Sequence, residues 1–505
     1  MKKWLWIIVL FLLALGAFYM LLPKEPSSPE SAFLAYCSGC HLAPTPANIP
    51  KAVWEERVLP EMAARLGYNY KGYDPLAQHT PEENQYITNS GAYPAKPAID
   101  SLAWHQIHDY ILSLAPDAIP VDSLRHRRNA GPALFEPRAV SLNENGQAAV
   151  TCIQFEAASR QFVIGDAYGK VYKWPALPDS LPAFRTPVLS YTQSKGAVYV
   201  TEVGYMNPSE IPLGVMHRIY HGKSDTLAQQ LHRPVYTIVA DLDGDGTEEI
   251  LACEFGNLTG ELSTFPASGA QAGKKNLLPV AGAIKAEVAD MNGDGARDIV
   301  VLAAQGREGV YILYQKGPLE FRAEQVVSLG PEYGSSWFEL FDYNGDGFLD
   351  IALANGDNAD YTNFLKPYHG LRLYINDGNN TFEQKWFYPI YGATRVLAED
   401  FDLDGDLDFA VLAFFPDYGN APEESFVWLE NKAPGQYLFE PHTFPAALSG
   451  RWLVMDKGDF DQDGDADILL GSFLRLSPGS AYKALSDRWR REKVSLLLLE
   501  NTARD

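Results

Sequence analysis

An acidic motif that recurs five times is the feature that most constrains the fold of this chain. Its copies begin at Asp241, Asp290, Asp342, Asp400 and Asp459, and successive starts are 49, 52, 58 and 59 residues apart. Each copy has glycine at position 6 and an acid at position 9, and an apolar run typical of a β-strand follows. This period predicts a repeat architecture in which every unit folds alike and packs on its neighbours.

The oxygen-bearing side chains of the motif are spaced as in a calcium-binding loop. Ca²⁺ takes about six to eight oxygen ligands, and a sharp turn at position 6 favours glycine. The EF-hand is excluded, because position 12 carries no glutamate in any copy and the flanking segments are strand-like. We predict up to five calcium ions. Positions 1, 3, 5, 7 and 9 form the predicted ligand set: Asp241, Asp243, Asp245, Thr247 and Glu249; Asp290, Asn292, Asp294, Ala296 and Asp298; Asp342, Asn344, Asp346, Phe348 and Asp350; Asp400, Asp402, Asp404, Asp406 and Asp408; Asp459, Asp461, Asp463, Asp465 and Asp467.

These loops also explain the charge of the chain. The net charge is −23, and 20 of the 64 acidic residues occupy predicted ligand positions. Crowded carboxylates repel one another unless a cation neutralises them, so solvated turns without metal are the weaker interpretation. The acidic balance also excludes nucleic acid as a partner, because nucleic-acid-binding proteins carry basic faces.

The repeat has the size of one blade of a β-propeller. Residues 241–505 hold five such units, and Arg125 to Ala240 leave room for two more without intact acidic loops. One of these shows alternating strands at Ala148–Ile153, Gln161–Gly165 and Gly169–Trp174. We therefore predict about seven blades, with six or eight as alternatives.

A second signature lies near the start of the chain, where Cys37-Ser38-Gly39-Cys40-His41 has the spacing of a c-type haem attachment site. Two thiols three residues apart can add to the haem vinyl groups, and the adjacent histidine then serves as proximal iron ligand. The alternatives are a redox-active cysteine pair or half of a zinc site, which requires a second Cys/His pair nearby. The remaining cysteines, Cys152 and Cys253, lie in distant apolar runs and are predicted to be buried free thiols. We predict one covalent haem.

The distal haem ligand is predicted to be Met62. It is the only methionine between the first 24 residues and Met206, although a methionine on an apolar helix face commonly just fills the core. Helical periodicity predicts three helices around this site, at Glu30–Tyr36, Ala52–Leu66 and Ile99–Leu114. The alternative distal ligands are His79, His105 and His108.

The N-terminal sequence predicts that the chain is exported from the cytoplasm. Lys2 and Lys3 precede an apolar run from Trp4 to Leu22, which is long enough to span a bilayer. We favour an uncleaved transmembrane anchor over a cleaved signal peptide, whose apolar core is shorter and ends in a small-residue cleavage site. The positive-inside rule then places the rest of the chain on the periplasmic side of the cell membrane.

Two resemblances accompany these patterns. Residues 31–114 resemble a small monohaem cytochrome c domain, with Trp54 and Leu59-Pro60-Glu61-Met62 matching its helix that carries the distal ligand. The acidic repeats resemble the FG-GAP/VCBS family of integrin α heads and bacterial exported proteins, which implies a calcium-binding β-propeller. The expected fold class is therefore multi-domain, with a transmembrane helix at 1–24, an all-α haem domain at 25–122 and an all-β propeller at 123–505.

The predicted function is an exported, membrane-anchored cytochrome that relays single electrons while its propeller binds a redox partner protein, a glycan or another protein. Long inter-strand segments at Asn355–Gly370 and Pro416–Ser425 are candidate binding loops, with His369 interpreted as structural. The chain lacks a nucleophile motif, a phosphate loop and a zinc constellation, so an electron carrier is favoured over an enzyme. The alternatives are a haem-linked dehydrogenase and an adhesion or scaffold module.

Overall fold

The computed structural model describes residues 28–121, 134–142, 147–176, 181, 183–269, 273–358 and 364–504. The predicted transmembrane helix at residues 1–24 lies outside this part of the chain. Within the described ranges, no helix combines the length and the apolar character needed to cross a bilayer.

Seven antiparallel sheets form a seven-bladed β-propeller. The predicted blade number is confirmed, and the two blades without acidic loops are the first two. Blade 1 contains three strands in the described ranges and the others contain four. The strands are β1 (Phe135–Val140), β2 (Val150–Glu156), β3 (Gln161–Asp166), β4 (Val171–Trp174), β5 (Val188–Ser194), β6 (Ala197–Glu202), β7 (Gly214–Tyr220), β8 (Lys223–Leu231), β9 (Pro234–Ala240), β10 (Glu249–Glu254), β11 (Glu261–Pro266), β12 (Lys275–Leu278), β13 (Ala283–Ala289), β14 (Asp298–Ala303), β15 (Gly309–Gly317), β16 (Glu320–Ser328), β17 (Ser335–Phe341), β18 (Asp350–Asn355), β19 (Gly370–Asn376), β20 (Phe382–Pro389), β21 (Ala393–Glu399), β22 (Asp408–Ala413), β23 (Phe426–Ala433), β24 (Leu438–Thr443), β25 (Trp452–Gly458), β26 (Asp467–Ser472) and β27 (Leu496–Asn501).

The ring closes by joining the two ends of the propeller chain in one sheet. Blades 1 to 6 are β2–β4, β5–β8, β9–β12, β13–β16, β17–β20 and β21–β24, whereas blade 7 has the order β1-β27-β26-β25. The first strands of successive blades contact one another, and β25 contacts β2. Pairing of β1 with β27 therefore fixes the last blade to the first part of the propeller chain.

The apolar run after each acidic motif is the second strand of its blade. All six residues of β10, β14, β18, β22 and β26 are buried. Each blade is covered on both faces by its neighbours, so the second strand has no polar side and reads as a continuous apolar segment. This is why the sequence located these strands correctly.

Short helices occupy the N-terminal helical segment, which we define as residues 28–121. Side chains of Ser28, Thr80 and Asp100 cap helices by accepting main-chain N–H bonds. A π-helical turn at Trp54–Val58 links two of the helices into one rod. The helices are α1 (Pro29–Cys37), α2 (Lys51–Val53), α3 (Leu59–Arg65), α4 (Pro81–Ser90), α5 (Ser101–Leu114) and, in the propeller, α6 (Lys483–Glu492).

The expected multi-domain fold class with an all-α cytochrome domain was wrong. The protein is a seven-bladed β-propeller with few helices, and its described N-terminal helices have at most 14 residues. Three predicted helical segments lie close to their predicted positions, whereas α4 (Pro81–Ser90) was not predicted. Long turns separate them, and their one small hydrophobic cluster extends to Phe364 of the propeller. Helical periodicity located the helices but carried no information on how large a separate core they build.

We expect Phe135→Ala to destabilise the propeller by about 3–5 kcal/mol, because it leaves a cavity in the blade that closes the ring. Phe135 is 0% exposed, and its ring centroid lies 5.7 Å from that of Phe401 and 5.8 Å from that of Trp428. Urea unfolding followed by tryptophan fluorescence measures the effect. Leu438→Ala, on the exposed side of an outer strand, is the control; equal midpoints for the two variants would contradict this role of β1.

Candidate metal and haem sites

All five acidic motifs lie on one face of the propeller. Each connects the first strand of a blade to the second, in blades 3 to 7. Because neighbouring strands are antiparallel, these connections emerge at the same end of every blade. We call them the first to fifth acidic loops and this side the acidic-loop face.

The carboxylate at position 1 shapes each loop. In the first loop, Asp241 Oδ1 accepts from the main-chain N–H of Gly244 at 2.8 Å, and Oδ2 accepts from that of Gly246 at 3.0 Å. The position-6 glycines all have positive φ, between 84° and 98°, which confirms the predicted turn. Position 4 is also left-handed, and there Leu403 and Gln462 adopt φ of 60° and 76° without the freedom of glycine.

The loops gather carboxylate oxygens into metal-sized groups. Ligand atoms of Asp241, Asp243 and Glu249 lie within 4.8 Å of one another, and the first three acids of the fourth and fifth loops do the same. At position 7 of those two loops, Asp406 Oδ1 and Asp465 Oδ1 are buried without a hydrogen-bond partner among the described residues. A buried, unpartnered carboxylate oxygen is costly unless a cation meets it. The donors therefore fit Ca²⁺, best in the fourth and fifth loops.

The electrostatics of these two loops agree with that fit. Burial, followed by repulsion from Asp404, raises the pKa of Asp402 to about 6. Burial, with Asp463 beside it, likewise raises the pKa of Asp465 to about 6. Neighbouring carboxylates resist ionising together, and a bound divalent cation reverses that resistance.

The second and third loops carry less charge at the predicted ligand positions. Asn292 and Asn344 stand at position 3, and their side-chain oxygens accept the main-chain N–H of Asp294 and Asp346 at 2.9 and 3.0 Å. At position 7, Ala296 and Phe348 can offer only a carbonyl, and Thr247 adds a hydroxyl in the first loop. These loops keep the shape of the motif with fewer anionic donors.

The position-9 acid has a role that the sequence analysis missed. Asp298 Oδ2 accepts the main-chain N–H of Met291 at 3.1 Å, and its Oδ1 accepts that of Gln315 at 2.9 Å. Gln315 belongs to the third strand, so this carboxylate connects the loop to the sheet. Asp350 and Asp467 repeat the arrangement, and burial raises the pKa of Asp467 to about 7.

The Cys-x-x-Cys-His segment lies where α1 ends. Cys37 is the last residue of α1 and half-buried, whereas Cys40 is exposed. His41 Nδ1 lies 2.8 Å from the carbonyl oxygen of Leu42, so an Nδ1–H tautomer donates to it and leaves Nε2 with a lone pair for iron. Burial and the neighbouring Cys40 raise the pKa of Cys37 to about 12. A redox-active cysteine has a lowered pKa, which the surroundings of Cys37 do not provide.

Cys37 and the helix that carries Met62 meet in one hydrophobic cluster. Leu59 and Ala63, on α3, are buried in this cluster, and Cys37 packs against it. Met62, which lies between these two residues in the sequence, is half-buried. The fold therefore brings the predicted distal segment and one of the cysteines to the same small core.

The rival histidines differ in their surroundings. His79 Nδ1 lies 3.3 Å from Glu83 Oε2, and His105 Nδ1 lies 2.6 Å from the carbonyl oxygen of Ser101. His108 Nε2 is buried without a hydrogen-bond partner in the described ranges, while its Nδ1 contacts Asp109 at 2.8 Å. His108 is therefore the histidine best suited to replace Met62 as a ligand.

The N-terminal helical segment docks on the face opposite the acidic loops. Arg307 Nε donates to the carbonyl oxygen of Cys40 at 3.2 Å, and Glu332 Oε1 accepts from the Thr45 N–H at 3.0 Å and from Asn48 Nδ2 at 3.1 Å. Arg307 lies in the connection between the second and third strands of blade 4, and Glu332 lies in the connection between blades 4 and 5. Both connections lie at the strand ends opposite the acidic loops, on what we call the docking face.

Sequence reasoning missed these docking residues and also a set of charged residues inside the propeller. Arg307 and Glu332 carry no local signal, because their partners lie more than 250 residues away. The charged residues inside the propeller did leave a local signal in the sequence. Lys285 and Arg395 place a basic residue in the first strand of a blade at the same position relative to the acidic loop, five residues before its first aspartate. Cys152 and Cys253 are buried and unpaired, as predicted.

Sequence comparison finds known repeats in the propeller. Residues 280–353 match the FG-GAP-like repeat family, a region that spans the second and third acidic loops. Integrin alpha-PS5 of Drosophila melanogaster is 34% identical over 96 residues, which cover 16% of this chain and 10% of the integrin. The match thus spans about a tenth of that relative's length.

Structural comparison returns proteins of low sequence identity. The structure of BBS1N in complex with ARL6DN has a TM-score of 0.41 and 12% identity, covering 73% of this chain and 97% of that one. The Pan2 WD40 domain of Neurospora crassa has a TM-score of 0.40 and 12% identity, covering 72% and 93%. The N-terminal domain of Nup159 has a TM-score of 0.41 and 9% identity, covering 74% and 97%.

We expect calcium to raise the melting temperature, with each site adding about 2.7 kcal/mol at a hundredfold excess over its Kd. The double variant Asp406→Asn and Asp465→Asn should lose much of this calcium-dependent rise. In metal-free buffer the same variant should melt at or above the wild-type temperature, because it removes two carboxylate charges that lie beside other acids and whose Oδ1 atoms are buried without a partner among the described residues.

Differential scanning calorimetry with and without calcium measures both effects. Asp377→Asn, in an exposed turn outside the acidic loops, is the matched control and should respond to calcium like the wild type. A double variant that keeps the full calcium response would contradict the assignment of these two loops.

Proposed function

We propose that this FG-GAP-repeat β-propeller is an exported scaffold that carries a covalently bound haem and relays single electrons to a protein partner. The observation that carries the proposal is the docking of the Cys-x-x-Cys-His segment on the propeller. Arg307 contacts the main chain of Cys40 itself, so the propeller holds the predicted attachment site directly.

The contacts at this interface are hydrogen bonds that join the N-terminal helical segment to Glu332 and Tyr368 of the propeller. Glu332 is 7% exposed, and one of its oxygens accepts two hydrogen bonds from residues just after His41. The Tyr368 hydroxyl donates to the carbonyl oxygen of Asn48 at 3.1 Å. Hydrogen bonds to a charged acceptor contribute about 1.5–3 kcal/mol each, which makes the segment part of the propeller surface and not a free tail.

Three residues of the segment have separate roles in holding the proposed haem. Cys37 and Cys40 supply the thioethers, and His41 Nε2 supplies the proximal ligand with its ring oriented by the Leu42 carbonyl. When bound, the haem supplies reversible one-electron chemistry. Exposed Cys40 and Leu42, which is 53% exposed, keep this edge open to a partner.

We also propose that up to five calcium ions stabilise the opposite face. The acidic loops then present a rigid surface, and the overall acidity of the chain steers a partner with a basic contact patch. Export follows from the N-terminal pattern of the sequence and from the c-type attachment motif, since such haem is attached outside the bacterial cytoplasm.

A second candidate is a ligand-binding or adhesion module that acts without electron transfer. The segment of 34% identity to an integrin alpha chain favours it. The presence or absence of covalent haem on the purified protein distinguishes the two.

We expect the double variant Cys37→Ala and Cys40→Ala to lack covalent haem, whereas the wild type retains about one haem per chain after acid–acetone extraction. Haem-stained denaturing gels and intact mass measure this. Cys152→Ala and Cys253→Ala are the matched controls, since both thiols are buried and unpaired. A wild-type chain of unmodified mass after expression with the c-type maturation machinery would contradict the proposal.

Glu332→Ala should loosen the docked segment, because it removes the acceptor of two hydrogen bonds. We expect amide hydrogen exchange over residues 42–48 to accelerate by about tenfold or more. Glu320→Ala, on an exposed strand of blade 4, should leave this exchange unchanged. Unaltered exchange in Glu332→Ala would show that the segment is held by other contacts.

A further inference from the structure

The axis of the propeller contains a polar cavity that none of the sites above uses. Its volume is about 1060 Å³, and the first strands of all seven blades line it. Small-molecule sites commonly have volumes of about 300–1,000 Å³ and combine apolar walls with a few placed polar groups. The walls here include Ile238, Val288 and Leu397, and most of the charged groups come from blades 4 to 7.

One cation of the cavity is fully paired. Lys285 is 4% exposed, and its Nζ donates to Glu287 Oε1 at 2.8 Å, Glu339 Oε1 at 2.9 Å and the carbonyl oxygen of Phe338 at 2.6 Å. An ammonium group has three N–H donors, so Lys285 has none left for a ligand. Its role is to hold the two glutamates in place.

The second cation is not paired in this way. The guanidinium carbon of Arg395 lies 3.6 Å from the ring centroid of Trp337, and no hydrogen bond joins its nitrogens to any described residue. Burial lowers the pKa of Arg395 to about 10, so desolvation of its charge is not fully offset. A guanidinium has five N–H donors in a planar fork, and here they face a cavity.

The nearest carboxylates are engaged elsewhere. Glu339 Oε1 accepts from Lys285 and, at 2.9 Å, from Trp337 Nε1. Asp456 Oδ2 accepts the main-chain N–H of Phe155 at 2.6 Å. These acids affect Arg395 through space but form no hydrogen bond to it, so the donors of the fork remain available to a small ligand.

Trp337 fixes the position of the fork. Its indole N–H is held by Glu339, and its ring makes an edge contact with Tyr236 at 5.7 Å between centroids. Arg395 stacked on this ring is oriented before any ligand arrives, and preorganisation of this kind lowers the entropic cost of binding.

We propose that Arg395 binds the carboxylate of a small organic acid in the axial cavity of the propeller. The guanidinium fork matches a carboxylate with two parallel hydrogen bonds. A monoanion suits the surroundings better than a phosphate dianion, because Glu287, Glu339 and Asp456 line the same cavity. The apolar wall then accommodates the body of the acid. This site is independent of haem and calcium.

The test is isothermal titration of the full-length protein with benzoate, phenylacetate and acetate, with benzamide as the uncharged analogue of benzoate. We expect at least one acid to bind, benzamide to bind at least about tenfold more weakly than benzoate, and Arg395→Gln to weaken acid binding by a similar factor. Arg322→Gln should bind like the wild type. Arg322 is the matched control because it also stacks on an aromatic ring, Tyr314 at 5.0 Å, but on an outer strand.

Three results overturn the proposal. They are the absence of binding by all three acids, equal affinity for benzoate and benzamide, and tighter binding of inorganic phosphate than of any acid. If Arg395→Gln fails to give a cooperative melt, Arg395→Lys replaces it. Lysine keeps the charge but loses the fork, so we expect several-fold weaker binding, and unchanged affinity overturns the role of Arg395.

Discussion

Closure of the ring through β1 is the constraint on which the other features depend. A blade alone exposes an apolar sheet on both faces, and only a closed circle covers every face with a neighbour. In blade 7 the outer strand comes from residues before blade 1, so the two ends of the propeller chain must meet before blades 1 and 7 are covered on both faces. The axial cavity, the acidic-loop face and the docking face are all products of this circle, because each combines residues from different blades.

The acidic loops show how one carboxylate can serve both fold and metal. Position-1 acids accept main-chain N–H groups within the loop, and position-9 acids connect the loop to the third strand. These bonds hold the loops in shape, and in the first, fourth and fifth loops three carboxylate oxygens lie within 4.8 Å of one another. Asp406 and Asp465 are the exception, since their buried oxygens have no partner among the described residues. A calcium ion at the proposed sites would therefore complete loops that the backbone has already formed.

The sequence predicted the propeller because its signals are local and repeated. Glycine at position 6, the acids around it and the buried second strand all fall within about fifteen residues, and five copies reinforce one another. Three N-terminal helical segments were located through local sequence patterns, whereas α4 and α6 were missed. The expectation of an all-α domain failed because core size depends on packing that periodicity does not report. Phe364 belongs to the helical cluster although it follows the last helical residue of that cluster by more than 240 residues. The contacts of Arg307 and Glu332 with the N-terminal helical segment also join residues that are far apart in the sequence. The ion pair between Lys285 and Glu339 could not be predicted from the sequence either, because it depends on how the first strands of two blades pack against each other.

The two faces of the propeller separate its two kinds of charged chemistry. Blade strands of about six residues are roughly 20 Å long, which is about twice the Debye length at physiological ionic strength. The acids of the acidic loops therefore act only weakly on groups at the docking face, where Arg307 holds the Cys40 carbonyl. Binding or loss of calcium changes the charge of one face by several units without a comparable change in potential at His41. Under the proposed function, a haem at His41 would be tuned by its own surroundings, and calcium would influence it through the rigidity of the ring and not through the electric field.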